Sequence, residues 1–222
     1  MTGTITIWSD ITCPWGTVAV HNLREARALV GLDGQVHLDH RAFPLELVNN
    51  RPTARRAIEG ELPVVAPLAP SLGWQSWPGD ASSYPSTVLL ALEAVQAAKE
   101  QSPAASEALD HGLRRAFFSE GRLIQLRHVV LEVAAACPEV DESALEKALD
   151  DGTGRRAVID QWRSAPELRV KGSPHVFLPD GSDVHNPGVT MGWAGGERPK
   201  GFPQVAAFDP SVYEDLLRRA VR

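Results

Sequence analysis

Thiols are scarce in this chain of 222 residues, which holds only Cys13 and Cys137. Two cysteines exclude a disulfide-built scaffold and a cysteine-rich zinc site, and they make a reducing, cytoplasmic setting the expectation. Basic charge is also in deficit. Lys and Arg number 22 against 28 Asp and Glu, a formal net charge of −6. No large basic block offsets this, so neither nucleic acid nor an anionic membrane is the expected partner. The pairs Arg55-Arg56 and Arg218-Arg219 are short, sit in helix-like surroundings and read as solvated surface. No apolar run of about 18 residues occurs, so nothing reads as membrane-spanning. The opening MTGTITIWSD lacks a cationic region followed by an apolar one, so no secretory signal is expected. What remains is ordinary for a globular protein: 43% hydrophobic and 23% charged residues, in a length that suits one well-cored domain or a domain carrying a sizeable insertion.

The pattern of apolar residues orders the chain. GTITIWSD alternates around Ile5 and Ile7 and predicts a short buried strand. In TCPWGTVAVHNLREARALVG, Thr12 or Cys13 suits a helix cap, Pro14 the first turn and Gly31 the end. QVHLDHRAF places Val36, Leu38, His40 and Ala42 on one face of a second strand, so the opening reads as β–α–β with a parallel pair. The proline-rich stretch 50–85 predicts loop with at most one short helix. Helical periodicity then predicts helices over 86–99, 102–121, 126–136, 141–149 and 155–164, the last with Val158, Ile159 and Trp162 inward. Strand character returns on either side of PDGS, a hairpin signal, and a Gly/Pro-rich loop is expected from Gly188 to Pro203. Asp209-Pro210 opens a final helix with Val212, Leu216, Leu217 and Ala220 on its buried side.

The order β–α–β, inserted helices, β-hairpin and helix is that of a thioredoxin fold with an insertion. SDITCPWG, HRAFPLELVN, AFFSEGRLIQLRHVVLEVAAAC and RVKGSPHVFLPDG, in that order and spacing, resemble the DsbA-like thioredoxin-domain family. The likeness is to the branch that includes FrnE-type dithiol oxidoreductases and relatives of 2-hydroxychromene-2-carboxylate isomerase. It implies an α/β, thioredoxin-like fold in which 1–50 and 166–222 form the thioredoxin-like domain and 51–165 an inserted α-helical subdomain. Two departures stand out. Gly16 occupies the place of the second cysteine of a C-P-W-C motif, and Cys13 stands where the isomerase and kappa-class transferase relatives typically have serine.

A thiol at a helix start faces unpaired N–H groups and the positive end of the helix dipole, which favour thiolate. Attack on a disulfide is therefore expected of Cys13, with Pro14 stiffening the turn. Gly16 cannot resolve the mixed disulfide, and Cys137 reads as a small buried residue at a helix end beside Pro138. The expected activity is monothiol, with glutathione or another low-molecular-weight thiol resolving Cys13 and no tightly bound cofactor. By the same resemblance GSPH holds a cis-proline loop facing the cysteine, with the Ser173 backbone left free beside Pro174 to pair with a peptide or a thiol cofactor. Trp15 is expected to shape the site surface, and Asp10 either to tune the thiol or to serve the turn. His40 lies with the apolar face and His37 opposite, so no metal site is expected; His175 points away and reads as structural.

Three functions compete. The first is DsbA-like thiol–disulfide oxidoreduction on a protein or small-molecule thiol or disulfide, a homodimer being compatible with it. The second is a glutathione-dependent isomerase or transferase of the 2-hydroxychromene-2-carboxylate isomerase or kappa-class type, with substrate near Trp74, Trp77 and the Gly188–Pro203 loop. The third is a non-catalytic, peptide-binding thioredoxin fold.

Overall fold

The computed structural model describes residues 2–195 and 201–222. Strand β1 (Gly3–Ser9) runs into helix α1 (Pro14–Leu29), which returns the chain to β2 (Val36–Ala42). β1 and β2 pair in parallel, from Gly3 with Val36 to Ser9 with Ala42. Pro14 is the first residue of α1, where a missing N–H costs no hydrogen bond. Gly31, at φ 69°, turns the chain out of the helix, a conformation that a Cβ would disfavour. All four residues expected on one face of β2 are buried: Val36, Leu38, His40 and Ala42.

Next come a four-residue turn of helix, α2 (Leu45–Val48), and α3 (Arg55–Val65). The 50–85 stretch is thus more ordered than its prolines suggest. α3 is 11 residues long and contains Pro63, with Ile58, Glu61, Leu62 and Val65 facing inward at helical spacing. Three short 3-10 turns, at 66–68, 70–72 and 81–83, fill the rest. Then α4 (Leu89–Lys99), α5 (Pro103–Phe118), α6 (Arg127–Ala135), α7 (Glu142–Asp150) and α8 (Thr153–Ser164) pack together. Ser102 Oγ accepts from the Ala105 N–H and Asp141 Oδ1 from the Ala144 N–H, each at 3.0 Å, satisfying donors that α5 and α7 leave open. The buried face of α8 is only in part the one expected, Val158 being buried as expected. It presents Gly154, Val158 and Gln161, while Ile159 and Trp162 are half-buried. Gly154 lets the backbones of α8 and α4 approach so closely that a Cβ would lie 2.0 Å from the Glu93 carbonyl oxygen.

β3 (His175–Phe177) and β4 (Asp183–His185) then complete a four-stranded sheet of order β2-β1-β3-β4. The expected Gly188–Pro203 loop is instead largely strand. β5 (Val189–Ala194) and β6 (Phe202–Phe208) pair antiparallel, with an irregularity between Thr190 and Met191; positions 196–200 of that stretch lie outside the described residues. The alternation of Val189, Met191 and Trp193 carried the strand signal, masked by the glycines around it. Helix α9 (Ser211–Ala220) closes the fold. It buries Tyr213, Leu216, Leu217 and Ala220, with Val212 only half-buried, and the Tyr213 hydroxyl donates to the Pro187 carbonyl at 2.9 Å.

Two apolar cores result. One joins Ile5, Ile7, Val36, Leu38 and Val176 of the sheet to Val20 and Leu23 of α1 and to Leu216 and Leu217 of α9. Each such side chain contributes about 1.5–3 kcal/mol on burial. The other fills the helical insertion and reaches Trp8, Ile11, Cys13, Trp15 and Val18. The insertion also covers the open edge of β2. Gln161 Oε1 accepts from the Ala42 N–H at 2.7 Å, Gln96 Nε2 donates to the His40 carbonyl at 3.1 Å, and the two amides bond each other at 2.8 Å. Backbone groups that a sheet edge would otherwise bury unpaired are thereby satisfied.

Candidate active site

β1 ends against the helical insertion, and residues 10–13 turn the chain from strand to helix. The Asp10 carboxylate organises that turn. Its Oδ1 accepts from the Thr12 N–H and hydroxyl, both at 2.7 Å, and its Oδ2 from the Leu45 N–H at 2.9 Å. Burial raises the Asp10 pKa against these bonds. Asp10 is therefore a turn residue that also ties down the entry to α2.

Cys13 caps α1, with φ −78° and ψ 115°, and its Sγ accepts from the Gly16 N–H at 3.4 Å. Across from it the Ser173–Pro174 peptide bond is cis. The Cys13 thiol donates to the Ser173 carbonyl at 3.2 Å, and the Ser173 Oγ accepts from the Asp10 N–H at 3.0 Å. Cys13, Gly16, Ser173 and Pro174, far apart in sequence, thus meet around one sulfur.

Two expectations about this cluster need correction. The sulfur lies where a helix start favours thiolate, yet it is only 3% exposed and burial pushes its pKa up to about 11. Hydrogen bonding with Ser173 and Gly16 works the other way but does not offset the loss of water, and the Glu61 and Asp10 carboxylates add to the rise. Burial thus favours the thiol over the thiolate. The Ser173 carbonyl, which accepts from the thiol, keeps a second lone pair. Finally, Trp15 is buried in the core of the insertion rather than shaping the surface.

Gly16 sets the space beside the sulfur. A Cβ there would stand 3.1 Å from Ser173 Oγ, 3.3 Å from Ser9 Cβ and 3.4 Å from the Asp10 carbonyl oxygen. Even the first atom of a side chain would press on the proline loop.

Cys137 belongs elsewhere. Its Sγ is 3.3 Å from the Val133 carbonyl and 3.6 Å from that of Ala108, between α5 and α6, and neither cysteine is in a disulfide. His175 is fully buried, accepting from the Lys171 N–H at 3.1 Å and bonding Asp183 at 2.8 Å, which fixes the loop before β3. His40 lies 3.5 Å from Asp110, and burial lowers its pKa. Among the described residues no cluster of His, Cys, Asp and Glu could hold a metal ion, and no helix is long and apolar enough to cross a membrane. Trp77 is buried in edge contact with Tyr84, with ring centres 5.4 Å apart, and Trp74 packs on Phe118 at 4.9 Å. Trp77 lies in the insertion's core, and Trp74, half-buried, packs against it.

Arg114 of α5 is the residue that sequence reasoning missed. It is 1% exposed and pairs with Asp110 one turn earlier, Nε to Oδ2 at 2.7 Å and Nη2 to Oδ1 at 3.0 Å. A signal existed, since Asp110 and Arg114 sit at helical spacing with Leu113 and Phe117 on the apolar stripe.

Comparison with known proteins bears on the fold. The family model described as DSBA-like thioredoxin domain matches residues 4–204. No curated protein matches the chain. Among solved structures, the cytosolic disulfide reductase DsbM from Pseudomonas aeruginosa is 19% identical with a TM-score of 0.67, covering 97% of each chain. DsbM has also been solved with GSH. A protein described as a probable DsbA oxidoreductase from Streptomyces coelicolor is 20% identical with a TM-score of 0.68, covering 98% of this chain and 89% of its own. A 2-hydroxychromene-2-carboxylate isomerase is 18% identical with a TM-score of 0.58, covering 82% of this chain and 87% of its own. At these identities the structural likenesses establish the fold.

Proposed function

The chain belongs to the DsbA-like thioredoxin-domain family, and on that footing we propose that it carries out thiol–disulfide exchange through Cys13 as its one active-site sulfur. In this reading 1–50 with 166–222 is the thioredoxin-like domain and 51–165 the insertion. Pro14, Trp15 and Gly16 form the turn, Ser173 and Pro174 the facing loop, and the setting is the reducing cytoplasm. The observation that carries the proposal is the Cys13 sulfur at the head of α1, 3.2 Å from the carbonyl that precedes the cis-proline.

The chemistry balances as follows. Cys13 gives up the proton it shares with the Ser173 carbonyl, and its thiolate attacks one sulfur of R–S–S–R′. R′–S⁻ departs and takes a proton, leaving Cys13–S–S–R. Gly16 offers no sulfur, and Cys137 is engaged between α5 and α6. A soluble thiolate therefore attacks the mixed disulfide, forms the new disulfide with R and frees Cys13. Glutathione is the natural choice, supported by the DsbM structure with GSH.

The test is intact-mass analysis of a Cys137→Ser variant incubated with oxidised glutathione. One glutathionyl adduct on Cys13, released by reduced glutathione and absent from Cys13→Ala, is the expected result. A protein that stays unmodified at Cys13 refutes the proposal.

The protonated state of the sulfur favours a second reading. By turning its one hydrogen from the Ser173 carbonyl to the sulfur of a bound thiol, Cys13 would hold that sulfur without a covalent bond, the arrangement that a glutathione-dependent isomerase or transferase reading uses. Glutathione binding seen by calorimetry with no adduct, and activity that survives Cys13→Ser, would select it.

A further inference from the structure

We infer that Arg114 is a positioning residue, clamping the Cys13 turn from the helical insertion so that the sulfur is held against Ser173. Its Nη1 donates to the Asp10 carbonyl at 3.0 Å, to Thr17 Oγ1 at 3.1 Å and, more weakly, to the Ile11 carbonyl at 3.4 Å. Its Nη2 donates to Ser9 Oγ at 2.7 Å. These acceptors are the end of β1, the turn itself and the first turn of α1, the three segments that flank Cys13 on the chain. Asp110 takes the remaining edge of the guanidinium and aims it. None of these contacts is with the sulfur, so Arg114 acts through the backbone that carries it.

The planar fork is what makes the clamp. Of five N–H groups in one plane, three reach Ser9, the turn and Thr17 while the other two hold Asp110, whereas an ammonium is a single point of charge on a flexible stem. A guanidinium buried this deeply is stable only while its partners remain in place, so the turn and α5 hold one another. The consequence is a direct link from the insertion to the thiol. Loosening Arg114 frees the Asp10 and Ile11 carbonyls, and with them the placement of Cys13 Sγ on the Ser173 carbonyl.

The inference rests on the exchange reading for its purpose but not for its test. Iodoacetamide alkylation of Cys13, in a Cys137→Ser background, measures the exposure and ionisation of the sulfur without any turnover. Arg114→Lys keeps the ion pair with Asp110 and loses the fork. In the folded variant, alkylation at neutral pH should rise about tenfold or more and the midpoint of its pH profile should fall. Glutathione exchange should meanwhile lose about tenfold or more in kcat with KM unchanged, as expected when a reacting atom is misplaced. Thr17→Val and Ser9→Ala each remove one acceptor and should give smaller changes of the same sign, which keeps the test open if Arg114→Lys does not fold. Variants that lose only urea resistance, with alkylation rate and pH midpoint equal to the parent's, overturn the inference. If the parent forms no glutathione adduct, the exchange reading falls while the alkylation series still decides the clamp.

Discussion

The titration of Cys13 sets two physical effects against each other, and their outcome can be measured as stability. Burial moves the thiol from an ordinary 9.0 to about 11, a difference of two pH units. At about 1.4 kcal/mol per unit, this is about 3 kcal/mol of linkage. The folded state binds the proton more tightly than the unfolded chain. Below pH 9 both states are protonated and the contribution is fully present. Between pH 9 and about 11 the unfolded thiol ionises first, so stability falls by about 1.4 kcal/mol per pH unit. Above that window both are ionised and the contribution is gone. Tyr84 and Tyr213 also bear on stability in this range, because burial raises both above the ordinary phenol value at which the unfolded chain ionises. The quantity to measure is therefore the difference between the Cys137→Ser parent and the same protein with Cys13→Ala, by urea unfolding under reductant from pH 8 to 11.5. That difference should shrink by about 3 kcal/mol across the window. Alkylation offers the companion measurement, with a thiolate fraction at pH 7 of about 10⁻⁴ in place of about 10⁻² for an ordinary thiol. A flat difference, or an alkylation midpoint at or below pH 8, would show that the helix start governs this sulfur and that burial does not.

Two further outcomes test the packing around the site. Gly16→Ala puts a Cβ 3.1 Å from Ser173 Oγ and should destabilise by about 1 kcal/mol. In a double-mutant cycle with Ser173→Ala the two losses should fall short of their sum, since the second change removes the clash; full additivity would mean that the two side chains are uncoupled. Gly154→Ala drives a Cβ to 2.0 Å from the Glu93 carbonyl and should cost about 3 kcal/mol by pushing α8 off α4, read as a lowered thermal midpoint; an unchanged midpoint would contradict the packing described.

Much of the fold was legible because local rules and tertiary packing agree. The β–α–β opening followed from alternation at Ile5 and Ile7, from Pro14 and from Gly31, and the structure places each as those residues suggest. The failures share a cause. Val189, Met191 and Trp193 alternate, but glycines and prolines around them hid the strand, whose partner β6 starts eight positions after β5 ends. On α8, Gly154 and Gln161 point inward because a close backbone approach needs glycine and the edge of β2 needs an amide; hydrophobicity alone favours Ile159 and Trp162.

The candidate site divides in the same way. By itself the sequence determined that Thr12 or Cys13 opens the first helix and that no sulfur follows at Gly16, because these are properties of residue type and order, while the proline loop near residue 174 came from the family resemblance. Only the tertiary structure decided the state of that cysteine. Whether a sulfur is thiol or thiolate depends on how much water reaches it and which distant groups face it, here the Ser173 carbonyl, Glu61 and a guanidinium-braced turn. Helix dipoles are written locally in the chain; desolvation is a property of the whole packed molecule.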